Sequence, residues 1–480
     1  NIGDHMKRDK TTTCLLALII ILSTAITAQQ YQVYLLNTQI GQLNKLQQWL
    51  YKNYGVSSIE ELKAKLTQEI EGRYRGNPFV TSLYPGQLQA ENITGMHWYT
   101  YLSGSLYNRT DVLAYPEQTA TFIIFKDSAG NVCAKNTTSG QIQYGGAWDA
   151  GGVDGANASA VMQAVIDALT DGGKVFFQQG TFTFSTFISL PQDSGGEYDR
   201  PVIISGSGWS TILTRNTDGP IFKLQKGTYR VRNIIFRDLM FKDGGQAGEI
   251  LFFNGSDRIR IEDVCFRFST KTAYAIYAED TWDVVVYGVL FHGGGNESTA
   301  MVRLVSTDDA TCNNWRFEVC RWERGTIYNS TAIASERGGS KRNHNIHILN
   351  SKIHGALDAT FKARAVVFNG TQWSSVRDTW ICHHFPVDGV IFVDADSSKI
   401  ELSGLFIASS SAISNPNSFL SIYGDYVSID KIISEGAPTQ IVLLQSTSTG
   451  CYVANGTIID TTGGVTKVTD NGSGNTIENP

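Results

Sequence analysis

Residues 234–241 read IIFRDLMF, and the same eight-residue shape returns as IRIEDVCF at 259–266, VVVYGVLF at 284–291 and WRFEVCRW at 315–322. Weaker copies begin at Ile346, Ser374, Ile400, Val427 and Tyr452, so nine copies start 25, 25, 31, 31, 28, 26, 27 and 25 residues apart. Self-similarity at that period marks a solenoid, in which each repeat buries its apolar face against its neighbours. Within a copy, residues 1 and 3 are mostly apolar. Residue 5 is usually Asp, Asn or Gly (Asp238, Asp263, Gly288, Asn350, Asp378, Gly404, Gly456), and residues 6 and 8 tend to be apolar again. Two short alternating strands meeting at a bend account for this, because Asp, Asn and Gly tolerate the left-handed backbone while Ile, Val and Phe fit a half-buried pleat. A further strand precedes most copies, at 250–253, 275–278, 390–393 and 441–444. Three strands and three bends per period make one coil of a single-stranded parallel β-helix. Nine coils about 4.8 Å apart predict a length on the order of 40 Å.

The chain has 480 residues, 18% of them charged, and a formal net charge of -6, which argues against nucleic acid as the main partner. Its one basic run, at 7–10, is followed by fifteen uncharged residues, 14–28, that finish in small residues. That is the layout of a secretory signal, with an uncleaved membrane anchor as the alternative. Asn-x-Ser/Thr acceptors at Asn92, Asn108, Asn136, Asn157, Asn254, Asn296, Asn329, Asn369, Asn455 and Asn471 exceed chance and fit an exported glycoprotein, although a Ser/Thr-rich surface meets the motif by accident. The expected location is extracellular: secreted, cell-surface or virion surface. Seven cysteines leave six beyond Cys14, which allow fifteen pairings, and Cys320 sits in an inward slot where a buried free thiol and a disulfide are equally expected. Cys382, His383 and His384 lack the further ligands that zinc needs, so no metal site is expected there.

Five segments follow. Residues 1–28 are the signal or anchor, and 29–72 carry near-heptad apolar spacing and two Ser-x-x-Glu capping boxes, which reads as a helical stem or a hairpin packed on the body. Residues 73–118 show no period and form an irregular connector, and 119–150 read as a small β-meander. The β-helix occupies 151–480, opened by an amphipathic helix at 157–169 that would cap its first coil.

The Asp-Gly stretch from Asp154, the helix at 158–169, GGKVFFQQGTFTF from Gly172 and ISGSGWSTILT from Ile204 resemble the opening of the pectate-lyase-like, tail-spike-like right-handed β-helix proteins. The preceding FIIFKDSAGNVCAKNTTSGQIQYGG, residues 122–146, resembles a leader found before such helices in exported and viral proteins of archaea. The resemblance implies an all-β fold with a right-handed coil. Its members include polysaccharide lyases, polygalacturonase-like hydrolases, phage tail spikes and noncatalytic adhesins, so fold alone does not set function.

Acidic residues concentrate where the first strand of successive coils ends: Asp257, Glu279 with Asp280, Asp308 with Asp309, Glu336 beside Arg337, Asp394 with Asp396, and Asp425. Residues one period apart should stack, which predicts that Glu279, Asp280, Asp308 and Asp309 share a groove and could supply the acid and base of glycosidic hydrolysis. The same carboxylates are calcium-type donors, and no other cofactor is expected. Tyr277, Trp282 and Tyr423 lie near the row and could stack on sugar rings, whereas Trp315 and Trp322 take core slots. Against catalysis, His292-Gly293 and His354-Gly355 are followed only by Lys362-Ala363-Arg364, the reverse of the Arg-x-Lys of polygalacturonase-like members. Only Arg337 lies where a lyase-type base would. The plainest alternative is that Asp simply suits exposed bends. The expectation is therefore a glycosylated spike or adhesin that recognises a cell-surface glycan, with a homo-oligomer such as a trimer as its assembly and membrane contact only through the N-terminal segment. A secreted polysaccharide hydrolase or lyase is the alternative.

Overall fold

The computed structural model describes residues 120–478 apart from 191–200, 270–272, 294–299, 324–330, 356–363, 383–388, 409–417, 455–457 and positions 437, 462 and 464, together with three strands between residues 88 and 108. The chain divides into two units, 1–113 and 114–480. In the first, Leu88–Asn92, His97–Leu102 and Ser105–Asn108 form a three-stranded antiparallel sheet. Part of the stretch expected to be an irregular connector is thus sheet; His-Trp-Tyr-Thr-Tyr-Leu is β-forming by composition but too short to show a period. The expected signal or anchor and the helical stem lie outside the described residues.

In the second unit the strands stack in three parallel ladders, one along each side of a β-solenoid. The first ladder includes Phe222–Gln225, the starts of Gly248–Glu262 and Ala273–Tyr287, then Ala300–Ser306, Thr331–Arg337, Val366–Phe368 and Ile391–Val393. The second carries the opening half of each repeat copy. Phe236, Ile261, Val286, Phe317 and Ile348 are successive register partners, Val376 and Leu402 continue the line, and all seven are fully buried. The third carries the closing half. There the rings of Phe241, Phe266, Phe291 and Trp322 stack with centroids 5.2, 5.2 and 5.0 Å apart. Trp315 and Trp322 are both fully buried, as their slots required.

Each corner between the second and third ladders is one residue in the left-handed region, the fifth of the repeat: Asp238, Asp263, Gly288, Val319, Asn350, Asp378, Gly404 and Lys431 all have φ between 48° and 65°. Gly288 has a second reason to be glycine, since a Cβ there would meet Asp263 Oδ1 at 2.6 Å. The corner between the first and second ladders repeats the device at Asn233, Arg258, Asp283, Asn314, Asn345, Trp373, Lys399 and Tyr426. The alternation alone did not show this second left-handed column, because its residue types are mixed.

Helix α1 (Ala158–Ala168) is capped by Asn157, whose side-chain oxygen accepts from the amides of Ser159 and Ala160. It buries Val161, Met162, Val165 and Ile166 against strands that include Gly180–Phe184 and Ile188–Ser189, covering edges that would otherwise be open. Phe122–Lys126, Val132–Asn136 and Ile142–Gly145 pair antiparallel in order, and the first of them also pairs in parallel with Gly173–Phe177. Among the described residues no helix is long and apolar enough to cross a membrane. The six described cysteines, Cys133, Cys265, Cys312, Cys320, Cys382 and Cys451, are all free and buried, so no disulfide joins them. Burial pushes the Cys312 and Cys320 thiols up to about 12.

Candidate functional site

On the first ladder, alternate residues point outward and stack coil upon coil. One outward row runs Lys223, Phe252, Tyr277, Arg303, and a second, two residues further along each strand, runs Gln225, Asn254, Glu279, Val305, Glu336. Phe252 and Tyr277 stack with centroids 5.8 Å apart and planes 10° apart. The Lys223 ammonium sits over Phe252 at 5.5 Å and over the exposed Phe187 at 5.1 Å, and the Arg303 guanidinium lies 5.6 Å from the Tyr277 ring.

The acidic members of this face are held by neighbouring donors. Glu279 Oε1 accepts from the Tyr277 hydroxyl at 2.5 Å and Oε2 from the Asn254 amide at 2.9 Å, while Glu336 Oε2 accepts from Arg303 Nε at 2.7 Å. Burial, reinforced by the bond to Glu279 and by its charge, pushes the Tyr277 phenol well above its ordinary value. Tyr274, three residues earlier on the same strand, donates to its register partner Glu249 on the neighbouring coil and is pushed up to about 12, by burial first and then by the Glu249 charge.

The other acidic residues occupy different surroundings. Asp280 does not face a groove: it is 5% exposed and bonded to Lys226 Nζ and Arg230 Nη2, both at 2.5 Å. Its φ of 43° turns the side chain away from the row that Glu279 joins. Asp257 is likewise buried, 3.0 Å from Arg232. Asp308 and Asp309 are exposed but are not register partners of Glu279, which faces Val305. This coil has a longer bend, closed by the Thr307 amide on the Ala310 carbonyl, which carries both acids past the end of the strand. Asp308 there accepts from the Ser340 amide at 2.7 Å. Asp394 accepts from the Gly370 amide and the Ser397 hydroxyl, Asp425 from the Thr449 amide and hydroxyl, and Asp396 pairs with Arg337 at 2.8 Å. These are bend-stabilising contacts of the kind that Asp makes in loops. Among the described residues no group of three or more His, Cys, Asp or Glu is arranged to hold a metal ion.

Of the aromatic candidates, Tyr277 lies in the outward row and Tyr423 packs at 5.5 Å on Phe392 farther along the same ladder. Trp282 lies at the corner, donates its Nε1 hydrogen to the Thr311 carbonyl and has one face under the Arg230 guanidinium, 3.9 Å away. Lys223, Phe252 and Arg303 were not singled out from the sequence. Their signal is positional: with Tyr277 they fall one coil apart at the same outward slot.

The described sequons differ in access. Asn471 is exposed, whereas the Asn136 amide donates to Gln143 and the Asn254 amide to Glu279, and Asn157 caps α1. Asn296, Asn329 and Asn455 lie outside the described residues.

No protein-family model matches the chain, and no curated protein matches it significantly. Among solved structures it is similar to ORF18 of Geobacillus virus E2, at 14% identity over 85% of this chain and 72% of that one, with a TM-score of 0.49. It is also similar to PfbA, a surface adhesin of Streptococcus pneumoniae, at 12% identity over 62% and 81% of the two chains, with a TM-score of 0.48. A tailspike protein mutant of E. coli bacteriophage HK620, solved with a pentasaccharide, shares 12% identity over 77% of this chain and 71% of its own, with a TM-score of 0.44. These likenesses concern the course of the chain, and the functional reading rests on the site's own geometry.

Proposed function

We propose that this chain is an exported surface spike or adhesin that binds a cell-surface glycan along the outward face of the first ladder. The observation that carries the reading is the pairing of two outward rows, aromatic and cationic at 223, 252, 277 and 303, polar at 225, 254, 279 and 336. A pyranose has an apolar C–H face and a rim of hydroxyls. Phe252 and Tyr277, whose ring faces are taken up by each other and by Lys223 and Arg303, present apolar ring edges to the first, and Asn254, Glu279, Arg303 and Glu336 offer positioned donors and acceptors to the second. Five strands from Lys223 to Glu336 span roughly 19 Å at about 4.8 Å per step, the length of a short oligosaccharide. In this reading the coil has the right-handed sense that parallel crossovers favour. Residues 1–28 direct export, 29–72 form an oligomeric stem, and the exposed sequons carry glycan while Asn254 stays bare.

The enzymatic reading has its own observation. Glu279 and Glu336 stand in one row two coils apart, about 9.5 Å by strand spacing, at the edge of the separation used by inverting glycosidases. Each of these carboxylates is already the acceptor of a fixed donor, a role that suits holding a sugar hydroxyl better than delivering a proton. Screening the parent and Glu279→Gln on arrayed cell-surface glycans, with reducing ends assayed in parallel, separates the two. Binding without release of reducing ends is expected. Turnover by the parent that Glu279→Gln abolishes would establish the hydrolase instead.

A further inference from the structure

Asn254, Asn369, Asn455 and Asn471 are each followed by glycine and then by Ser or Thr. Asn455 lies outside the described residues. Glycine has no Cβ to crowd the approach, so the backbone nitrogen after such an asparagine can close on the side-chain carbonyl carbon, Cγ, and form a five-membered succinimide. Two local features govern that closure: the freedom of the carboxamide to turn, and a base standing at the attacking N–H.

The three described copies differ in both. Asn254 lies inside the strand Gly248–Glu262, and its Nδ2 donates to Glu279 Oε2 at 2.9 Å, which holds the carboxamide along the outward row. Asn369 is half-buried in the bend just beyond Val366–Phe368, and among the described residues its carboxamide makes no hydrogen bond. The amide that would attack it, Gly370 N–H, donates to Asp394 Oδ1 at 3.0 Å. That bend requires glycine: φ is 61°, and a Cβ on Gly370 would meet Arg337 Cβ at 2.6 Å. The arrangement recurs beyond Thr466–Asp470, where the exposed Asn471 carboxamide is likewise unbonded among the described residues and Gly472 N–H donates to Asp470 Oδ1 at 2.8 Å.

We infer that Asn369 and Asn471 are sites of self-deamidation and that Asn254 is protected from it. The neighbouring aspartate takes the glycine amide proton as that nitrogen attacks Cγ. The N–Cγ bond forms, the Cγ–Nδ2 bond breaks, and ammonia leaves carrying the transferred proton. Water then opens the succinimide to aspartate or isoaspartate, so the reaction consumes only water. A glycan on Nδ2 would block the step, and the two modifications compete for one nitrogen. Phe368 has Ser335 and Val393 as register partners, which sets Asn369 between Glu336 and Asp394, so its conversion places a third carboxylate in that outward row. Isoaspartate also lengthens the backbone by one atom at a bend that a single left-handed glycine now closes. The inference does not depend on the first-ladder reading.

The test is incubation of the full chain, produced in a host without N-glycosylation, in heavy-oxygen water at neutral pH, followed by peptide mass spectrometry. Heavy oxygen marks each succinimide opened during the incubation. Asn369 and Asn471 should take up label as a mixture of aspartate and isoaspartate, on the order of tenfold faster than Asn254, and denaturant should bring Asn254 up to the rate of the other two. Asp394→Asn keeps an acceptor oxygen for Gly370 and Ser397 and removes the base. It should slow labelling at Asn369 alone, with Asn471 unchanged and the melting temperature held. No label at Asn369 and Asn471, label at Asn254 as fast as at Asn369, or an Asp394→Asn variant whose Asn369 reacts at the parent rate or faster would each overturn the inference.

Discussion

Glu279 and Glu336 occupy one outward row of the first ladder, two coils apart, with Val305 as the partner of both. Arg303 reaches across that gap, bonding Glu336 at 2.7 Å while its guanidinium lies beside the Tyr277 ring, and Tyr277 in turn donates to Glu279. The two carboxylates are therefore ends of one connected chain of side chains, so changing any member should disturb its neighbours more than the sum of single effects suggests.

The stacked rings of the third ladder should dominate local stability. Phe291 lies between Phe266 and Trp322 with no exposed surface, so Phe291→Ala should cost about 3–5 kcal/mol. The outward Tyr287→Ala should cost well under half as much. Denaturant unfolding of the two variants measures both; similar losses would mean that the ring stack is not the core.

Val319 is a β-branched residue at a corner where φ is 55° and where the other copies mostly place Asp, Asn or Gly. It is also half exposed, so little packing offsets the strain. Val319→Asn should stabilise the protein by roughly 1 kcal/mol, and Asn350→Val, at the same corner one coil later, should lose a similar amount. Thermal melts of the pair check the sign of each.

Asp238 and Asp263 are corner residues of adjacent coils, and each carboxyl is raised above its ordinary value, by burial first and then by neighbouring acids, with Arg237 partly opposing at Asp238. A raised folded-state value means stability that is fully present below the unfolded value near 3.9 and is lost as pH rises through the folded one. Asp263→Asn should therefore stabilise the protein at pH 7, by less than about 1 kcal/mol for so exposed a charge, and make little difference near pH 3, as thermal melts at the two pH values would show.

Six free, buried cysteines among the described residues predict that the solenoid is indifferent to reductant. A thiol reagent at pH 8 should leave Cys133, Cys265, Cys312, Cys320, Cys382 and Cys451 unmodified in the folded protein and modify all six in denaturant. An unchanged count after unfolding would reveal disulfides.

The repeat made the coil legible. Slots 1, 3, 6 and 8 become buried ladder positions because a period of two within a strand and a period near 27 between coils leave a side chain only one place to go. The site was read less well, for a reason visible at Asp280 and Asp308. One residue separates Glu279 in its outward row from Asp280 in a buried ion pair, and a bend longer by a few residues moves Asp308 off the row that its spacing suggested. Counting acids by period finds the strand end, but which acid faces outward depends on corner geometry. Arg303 and Phe252 went unread because charge and aromaticity at alternate outward slots look like ordinary surface until the coils are laid in register.

The most direct test of the central claim is diffraction from crystals of the chain soaked with its best array-bound oligosaccharide. A sugar ring is expected in van der Waals contact with Phe252 or Tyr277, with hydroxyls bonded to Glu279, Asn254 or Arg303. Density for the glycan lying only elsewhere, with the first ladder's outward rows bare, would contradict it.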